Sequence, residues 1–149
     1  METRDRAINT IMNKETLNSI IRNRKSIYPN DYTGDEIPDN LIREMLLNAN
    51  HAPTHRMTQP WFFKVYKNES KQKLIDIVSK IDDSKISKIK LDKFIQKIND
   101  SNTVISIFLN RDKKERLPEW EEIAAVSMAV QNMWLTCYVN NIGSYWSTP

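Results

Sequence analysis

A chain of 149 residues, 40% apolar and 28% charged, has the size and composition of one soluble globular domain rather than a disordered segment. No apolar run approaches the roughly 18 residues of a membrane span, and the charged start Met1–Arg6 has no apolar stretch behind it, so neither a span nor a secretory signal is expected. A net charge of +3 is too mild for a nucleic-acid surface, and the two glycines, Gly34 and Gly143, leave no Gly-rich phosphate loop.

Met1–Asn13 is polar and weakly patterned, as in a frayed helix. The spacing of Leu17, Ile20 and Ile21 predicts a helix over Lys14–Asn23, ending in the basic run Arg22-Asn23-Arg24-Lys25-Ser26. Tyr28–Asp31 and Thr33–Asp35 read as loop. A second helix starts at Pro38, with Asp35, Glu36 and Asp39 at its positive end and Leu41, Ile42, Met45, Leu46 and Ala49 as its buried stripe. It stops near His51, because Pro53 disfavours helix at Ala52. After a loop over His51–Pro60, the aromatic and β-branched run Trp61–Tyr66 is a strand. Helices follow over Ser70–Ile81 and from about Ser87 through Ile98.

Thr103–Leu109 is a strand so continuously apolar that it is expected at the centre of its sheet. Arg111–Pro118 is a charged loop. Glu119–Asn141 is the longest helix, apolar nearly all round, which requires burial in a core or a subunit interface. Gly143 suits a cap after it, and Ser144-Tyr145-Trp146 is expected to start a third strand. The order describes a single α+β domain over 1–149, without the strand–helix alternation of a doubly wound sheet.

Arg24, Lys25 and Ser26 can hold a phosphate through a forked guanidinium, a point charge and a hydroxyl, although a solvated helix end has the same composition. His51 and His55, the two histidines of the chain, share one proline-turned loop. They are too few for a zinc site; they suit imidazole donors facing a polar ring edge, or ordinary loop residues. The single cysteine, Cys137, sits among apolar helix neighbours and reads as core. It cannot form an internal disulfide and suits a reducing compartment, so the cytoplasm is the expected location. Glu119, Glu121 and Glu122 suit a helix N-terminus and are assigned no chemistry. The lysines from Lys71 to Lys97, interleaved with Asp76, Asp82, Asp83 and Asp92, read as solvated helix faces.

The order of these features resembles the nitroreductase family. Arg24-Lys25-Ser26 resembles its Arg-Arg-Ser opening, and Ala52-Pro53-Thr54-His55 followed by Gln59-Pro60-Trp61-Phe62 resembles its Ala-Pro…Gln-Pro-Trp segment. Leu117–Glu121, the Ala-rich helix and Ile142–Trp146 resemble the rest of its compact single-domain bacterial branch. The resemblance implies an α+β sandwich with a mostly antiparallel sheet flanked by helices. It implies a homodimer with the long helix at the interface and flavin mononucleotide (FMN) bound there. NADH or NADPH would be the electron donor and a nitroaromatic, quinone or similar small molecule the acceptor, in ping-pong turnover. Arg24, Lys25 and Ser26 would hold the phosphate and ribityl chain. His51 and His55 would reach the flavin of the other subunit, Gln59 the ribityl or ring edge, and Trp146, Ser147 and Thr148 the opposite side of the flavin. The branch usually carries Arg where this chain has His51 and Ser147, and it continues past the position of Pro149 into a further helix and strand, so a C-terminal part of the fold is expected to be missing. A flavin-binding homologue without turnover, and an interaction protein that has lost the cofactor, are the alternative readings.

Overall fold

The computed structural model describes residues 14–81 and 86–148. The frayed helix expected over Met1–Asn13, the aspartates Asp82 and Asp83, and Pro149 lie outside the described residues. Five helices and two strands follow in the order α1 (Lys14–Asn23), α2 (Asp39–Asn50), β1 (Trp61–Lys67), α3 (Glu69–Val78), α4 (Lys88–Asp100), β2 (Thr103–Leu109) and α5 (Glu119–Val139). Single 3-10 turns lie at Pro29–Asp31 and His55–Met57.

β1 and β2 pair antiparallel in a register that runs from Trp61 opposite Leu109 to Lys67 opposite Thr103. Alternation then sends Trp61, Phe63, Val65, Ile105 and Ile107 to one face, where they pack on α2 and α5. Tyr66 and Val104 point to the other face and are covered by Leu74, Val78 and Ile98 from α3 and α4. The cover does not extend along the whole of that face: Phe62 and Phe108, cross-strand partners with ring centroids 5.7 Å apart, remain exposed. Among the described residues the sheet has two strands, and β2 pairs with β1. The apolar run of β2 fits the helices packed on both faces of the sheet.

α2 and α5 form the main core, with Ile42, Met45 and Ala49 against Ala129, Val130, Met133 and Cys137. They run antiparallel, because Asn48 donates to Thr136 Oγ1 at 2.9 Å and accepts on its carbonyl from Asn132 Nδ2 at 3.0 Å, while the earlier Met45 meets the later Cys137. Truncating Ile98, only 2% exposed beneath the sheet, leaves a cavity of the kind that costs about 2–5 kcal/mol. Lys71 Nζ donates to the carbonyls of Ile98, Asn99 and Ser101, which meets the acceptors left over at the end of α4.

The apolar circumference of α5 is only partly used. Ala125, Val126, Ala129, Val130, Met133 and Cys137 are buried, while Trp120, Ile123, Met128 and Val139 stand exposed. α1 behaves alike: it is amphipathic but buries no residue, and Leu17 and Ile21 are exposed.

Candidate functional site

α1 ends at Asn23, and the next two residues, Arg24 and Lys25, reach the C-terminal half of α5 at Trp134 and Tyr138. Arg24 is half-buried, and its guanidinium carbon lies 4.4 Å from the centroid of the Trp134 ring. Its Nη1 is buried and has no acceptor among the described residues. A buried donor of this kind costs on the order of 1–3 kcal/mol until an acceptor reaches it, more when it is charged. Lys25 lines a cleft of about 210 Å³ with Ile27, Trp134, Tyr138, Ile142, Gly143 and Ser144. Ser26 is exposed beside it.

The floor of the cleft depends on how α5 stops. Asn141 takes the left-handed conformation with φ 54°. Ile142 N–H then returns to the Cys137 carbonyl at 2.8 Å and Asn141 N–H to that of Tyr138 at 3.1 Å. This is a Schellman ending with Asn141, not the expected Gly143, in the left-handed position. Gly143 is needed for a different reason: a Cβ there would stand 2.9 Å from Tyr32 Cε1 and 3.2 Å from Ile27 Cγ2. Past it, the Ser144 carbonyl accepts from Ile27 N–H at 3.0 Å and from Trp134 Nε1 at 3.3 Å, and Tyr145 packs on Tyr28 with centroids 4.7 Å apart. The third strand expected at Ser144–Trp146 does not form in the described residues. The single backbone bond to Ile27 aligns the two segments without building a ladder. Trp146 is 46% exposed, Thr148 is exposed, and Ser147 Oγ accepts from Lys97 Nζ at 3.2 Å.

The second group of residues surrounds the loop after α2. His51 is exposed at the C-terminus of that helix. Arg56, Met57 and Gln59 all have positive φ, at 54°, 54° and 44°, a strained path for side-chain-bearing residues. Side chains hold it in place. Thr54 Oγ1 accepts from Gln59 N–H at 3.1 Å, and Asn50 Oδ1 accepts from Gln59 Nε2 at 3.4 Å and from Trp61 Nε1 at 3.3 Å. His55 Nδ1 pairs with Glu121 Oε2 at 2.8 Å, which leaves Nε2 as the outward nitrogen. Glu122, one residue on, is buried and accepts from Arg111 Nε and from Asp112 N–H, both at 2.9 Å. The Asp112 amide first and the Arg111 guanidinium second hold its carboxyl below the usual range. The charged loop is thereby fastened to α5.

The structure thus brings the predicted residues together in two sets, not one. Lys25 lines the cleft with Gly143 and Ser144, and Arg24 lies beside it on Trp134; His55 and Gln59 belong to the loop after α2, and His51 caps that helix. Glu121 and Trp134, one touching His55 and the other Arg24, are thirteen residues apart on α5, roughly 20 Å along the helix axis. Trp134, Glu121 and Lys97 were not legible as site residues: the first reads as core, the second as helix-end charge, the third as one lysine among many. Burial raises the Cys137 thiol pKa and pushes the Tyr32 hydroxyl up to about 12, so both stay protonated and neither is a nucleophile at neutral pH.

A two-stranded antiparallel sheet between helix layers, with an arginine over a tryptophan beside a cleft, makes an α+β protein with a candidate site on the long-helix side. The chain belongs to the nitroreductase family, whose model it matches over residues 21–149. It is 30% identical over 136 residues to YfhC of Bacillus subtilis (strain 168), which bears an NAD(P)H nitroreductase name; the match covers 89% of this chain and 69% of YfhC. Its fold is that of the nitroreductase-like family protein from Bacillus cereus, with a TM-score of 0.76 at 23% identity over 89% of this chain and 70% of that one. The FMN-dependent nitroreductase NfnB of Mycobacterium smegmatis, solved with NADPH, gives a TM-score of 0.62 at 14% identity, covering 87% of this chain and 72% of NfnB. Among the described residues no helix is long and apolar enough to cross a membrane.

Proposed function

We propose that the chain is an FMN-dependent oxidoreductase that takes electrons from NADH or NADPH and passes them, by a ping-pong course, to a nitroaromatic, quinone or similar small acceptor. The observation that carries this reading is the buried, unpartnered Nη1 of Arg24 beside the cleft that Lys25 lines. The donor set fits a phosphate monoester: a forked guanidinium placed over the Trp134 ring, an ammonium and a hydroxyl in sequence. FMN held there would supply the hydride and electron transfer chemistry. The chain's own residues bind and orient. Arg24, Lys25 and Ser26 retain the phosphate end, and Trp146, Ser147 and Thr148 border the ring.

The working unit is a homodimer. A cleft of about 210 Å³ is smaller than the ~300 Å³ at which small-molecule sites begin, so one chain offers only part of a site. His51, His55 and Gln59 complete the site of a second copy, where His55, steadied by Glu121, presents Nε2 to the ring edge. The exposed apolar side chains Trp120, Ile123, Met128 and Val139 of α5 are the surface that such an association covers. The test is FMN titration of the wild-type protein and of Arg24→Ala, read by quenching of flavin fluorescence. Saturable binding near one FMN per chain, lost in the variant, supports the reading; equal affinity in the two proteins removes Arg24 from the site.

A further inference from the structure

Arginines in this fold are held in two ways. Arg111 and Arg116 meet carboxylates, at 2.9 Å on Glu122 and 2.6 Å on Asp112. Arg24 rests on a ring instead: its guanidinium carbon stands 4.4 Å from the centroid of Trp134, a residue that is itself half-buried. The two arrangements leave the cation in different states. A carboxylate takes N–H donors and cancels the charge, whereas an aromatic face attracts the charge and uses up no in-plane N–H. Trp134 therefore holds a guanidinium in place while leaving its donors for another acceptor, and Nη1 is a buried donor still without one among the described residues.

The indole is fixed in turn. Its Nε1 donates to the Ser144 carbonyl at 3.3 Å, and the same carbonyl accepts from Ile27 N–H at 3.0 Å. At the start of that short stretch, Arg24 N–H donates to the Ile20 carbonyl at 3.1 Å and closes the last turn of α1. One side chain of α5 thus joins the arginine that follows α1 to the segment that follows Gly143, beside the cleft that Trp134 and Lys25 both line. We propose that Trp134 is a positioning residue, whose ring face holds the Arg24 guanidinium ready for the phosphate of the cofactor. The inference rests on the FMN reading above. An arginine free in solvent loses rotamer freedom when it captures an anion; one already seated on a ring has lost most of it beforehand, and the saving appears as affinity. Because Trp134 acts through Arg24, its contribution goes to the anionic end of the ligand and not to the rest of it.

The test is equilibrium dialysis against FMN and against riboflavin, which lacks the phosphate, for wild type, Trp134→Leu, Trp134→Phe, Arg24→Ala and the double variant Arg24→Ala with Trp134→Leu. Trp134→Leu is expected to raise the Kd for FMN about tenfold and to leave that for riboflavin within about threefold. Trp134→Phe keeps a ring face and loses the indole N–H, so its Kd for FMN should stay within about threefold of wild type. On the Arg24→Ala background Trp134→Leu should add nothing, since the ring then has no cation to hold. Equal weakening of FMN and riboflavin overturns the proposal, because that marks a packing role. An unchanged Kd for FMN in Trp134→Leu overturns it too, as does a Phe variant as weak as the Leu variant, or a double variant in which the two losses add. Each of these leaves the FMN reading standing, whereas a wild-type protein that binds no FMN removes the reading and this proposal together. If wild type binds riboflavin too weakly to titrate, the double-variant cycle decides alone. Failure of Trp134→Leu to fold would be seen in its circular dichroism; Trp134→Met then takes its place, with the same expected changes.

Discussion

The guanidinium carbon of Arg24 lies over the Trp134 ring, 4.4 Å from its centroid, with Nη1 buried and unpartnered among the described residues. An arginine stem can bury itself on an aromatic face with its head in water; here one head nitrogen is buried as well. Under the proposed function, that arrangement suits Arg24 to receive the cofactor's phosphate. Arg24→Ala should raise the Kd for FMN on the order of 10–100-fold, the worth of one or two charge-assisted hydrogen bonds. Arg24→Lys should lie between, keeping the charge and losing the fork. Fluorescence titration measures all three.

The two sets of site residues, roughly 20 Å apart along α5, predict that binding and association fail together. Ile123→Glu with Met128→Glu places carboxylates on the exposed face of α5, where the isolated chain tolerates them. Sedimentation should show a folded monomer at concentrations where wild type is a dimer, and that monomer should bind FMN at least about tenfold more weakly. A monomeric variant with wild-type FMN affinity would mean that one chain holds the complete site.

Acid should loosen the charged loop before the core. The Arg116 guanidinium holds the Asp112 carboxyl down at about 2, and Glu122 is also held below its usual range. Both groups are depressed on folding, so their contribution is present above the unfolded carboxylate range near 4 and disappears as pH falls through the folded values. Thermal stability should therefore fall between about pH 4 and pH 2, and Glu122→Gln, which abolishes its share of that titration, should show a shallower decline from a lower plateau. Calorimetry across that range gives the slope.

Gly143 and Gly34 offer a matched pair. A methyl at Gly143 would stand 2.9 Å from Tyr32 Cε1 and 3.2 Å from Ile27 Cγ2, tighter than ordinary contact. Gly143→Ala should cost about 1–3 kcal/mol, as overpacked sites do, and disturb the floor of the cleft. Gly34 has open space but φ +81°, so Gly34→Ala should cost about 1 kcal/mol through backbone strain and leave FMN affinity unchanged. Urea unfolding compares the two.

Regular elements were legible wherever local pattern decides them. α1 ends at Asn23 and β2 spans Thr103–Leu109, as their apolar spacing predicts, and β1 extends the predicted strand by one residue, to Lys67. The apolar circumference of α5 is only partly explained by the core of the single chain, which leaves Trp120, Ile123, Met128 and Val139 exposed. The third strand at Ser144–Trp146 was misread: aromatic residues there pack against Tyr28 and the residues around it instead of pairing in a ladder. Gly143 was read as a cap when Asn141 caps and Gly143 makes room, a distinction that depends on where Tyr32 lies. Lys97 and Glu121 were hidden for one reason. A charged residue on an exposed helix face looks the same in sequence whether it meets water or a site residue brought from fifty or sixty-six positions away.

The central claim is that this chain holds FMN, and the most direct measurement is the visible absorption spectrum of the purified protein before and after incubation with FMN and desalting. The account predicts flavin bands that stay with the protein at about one per chain. A protein that emerges colourless after incubation would contradict it and leave an interaction protein built on the same fold.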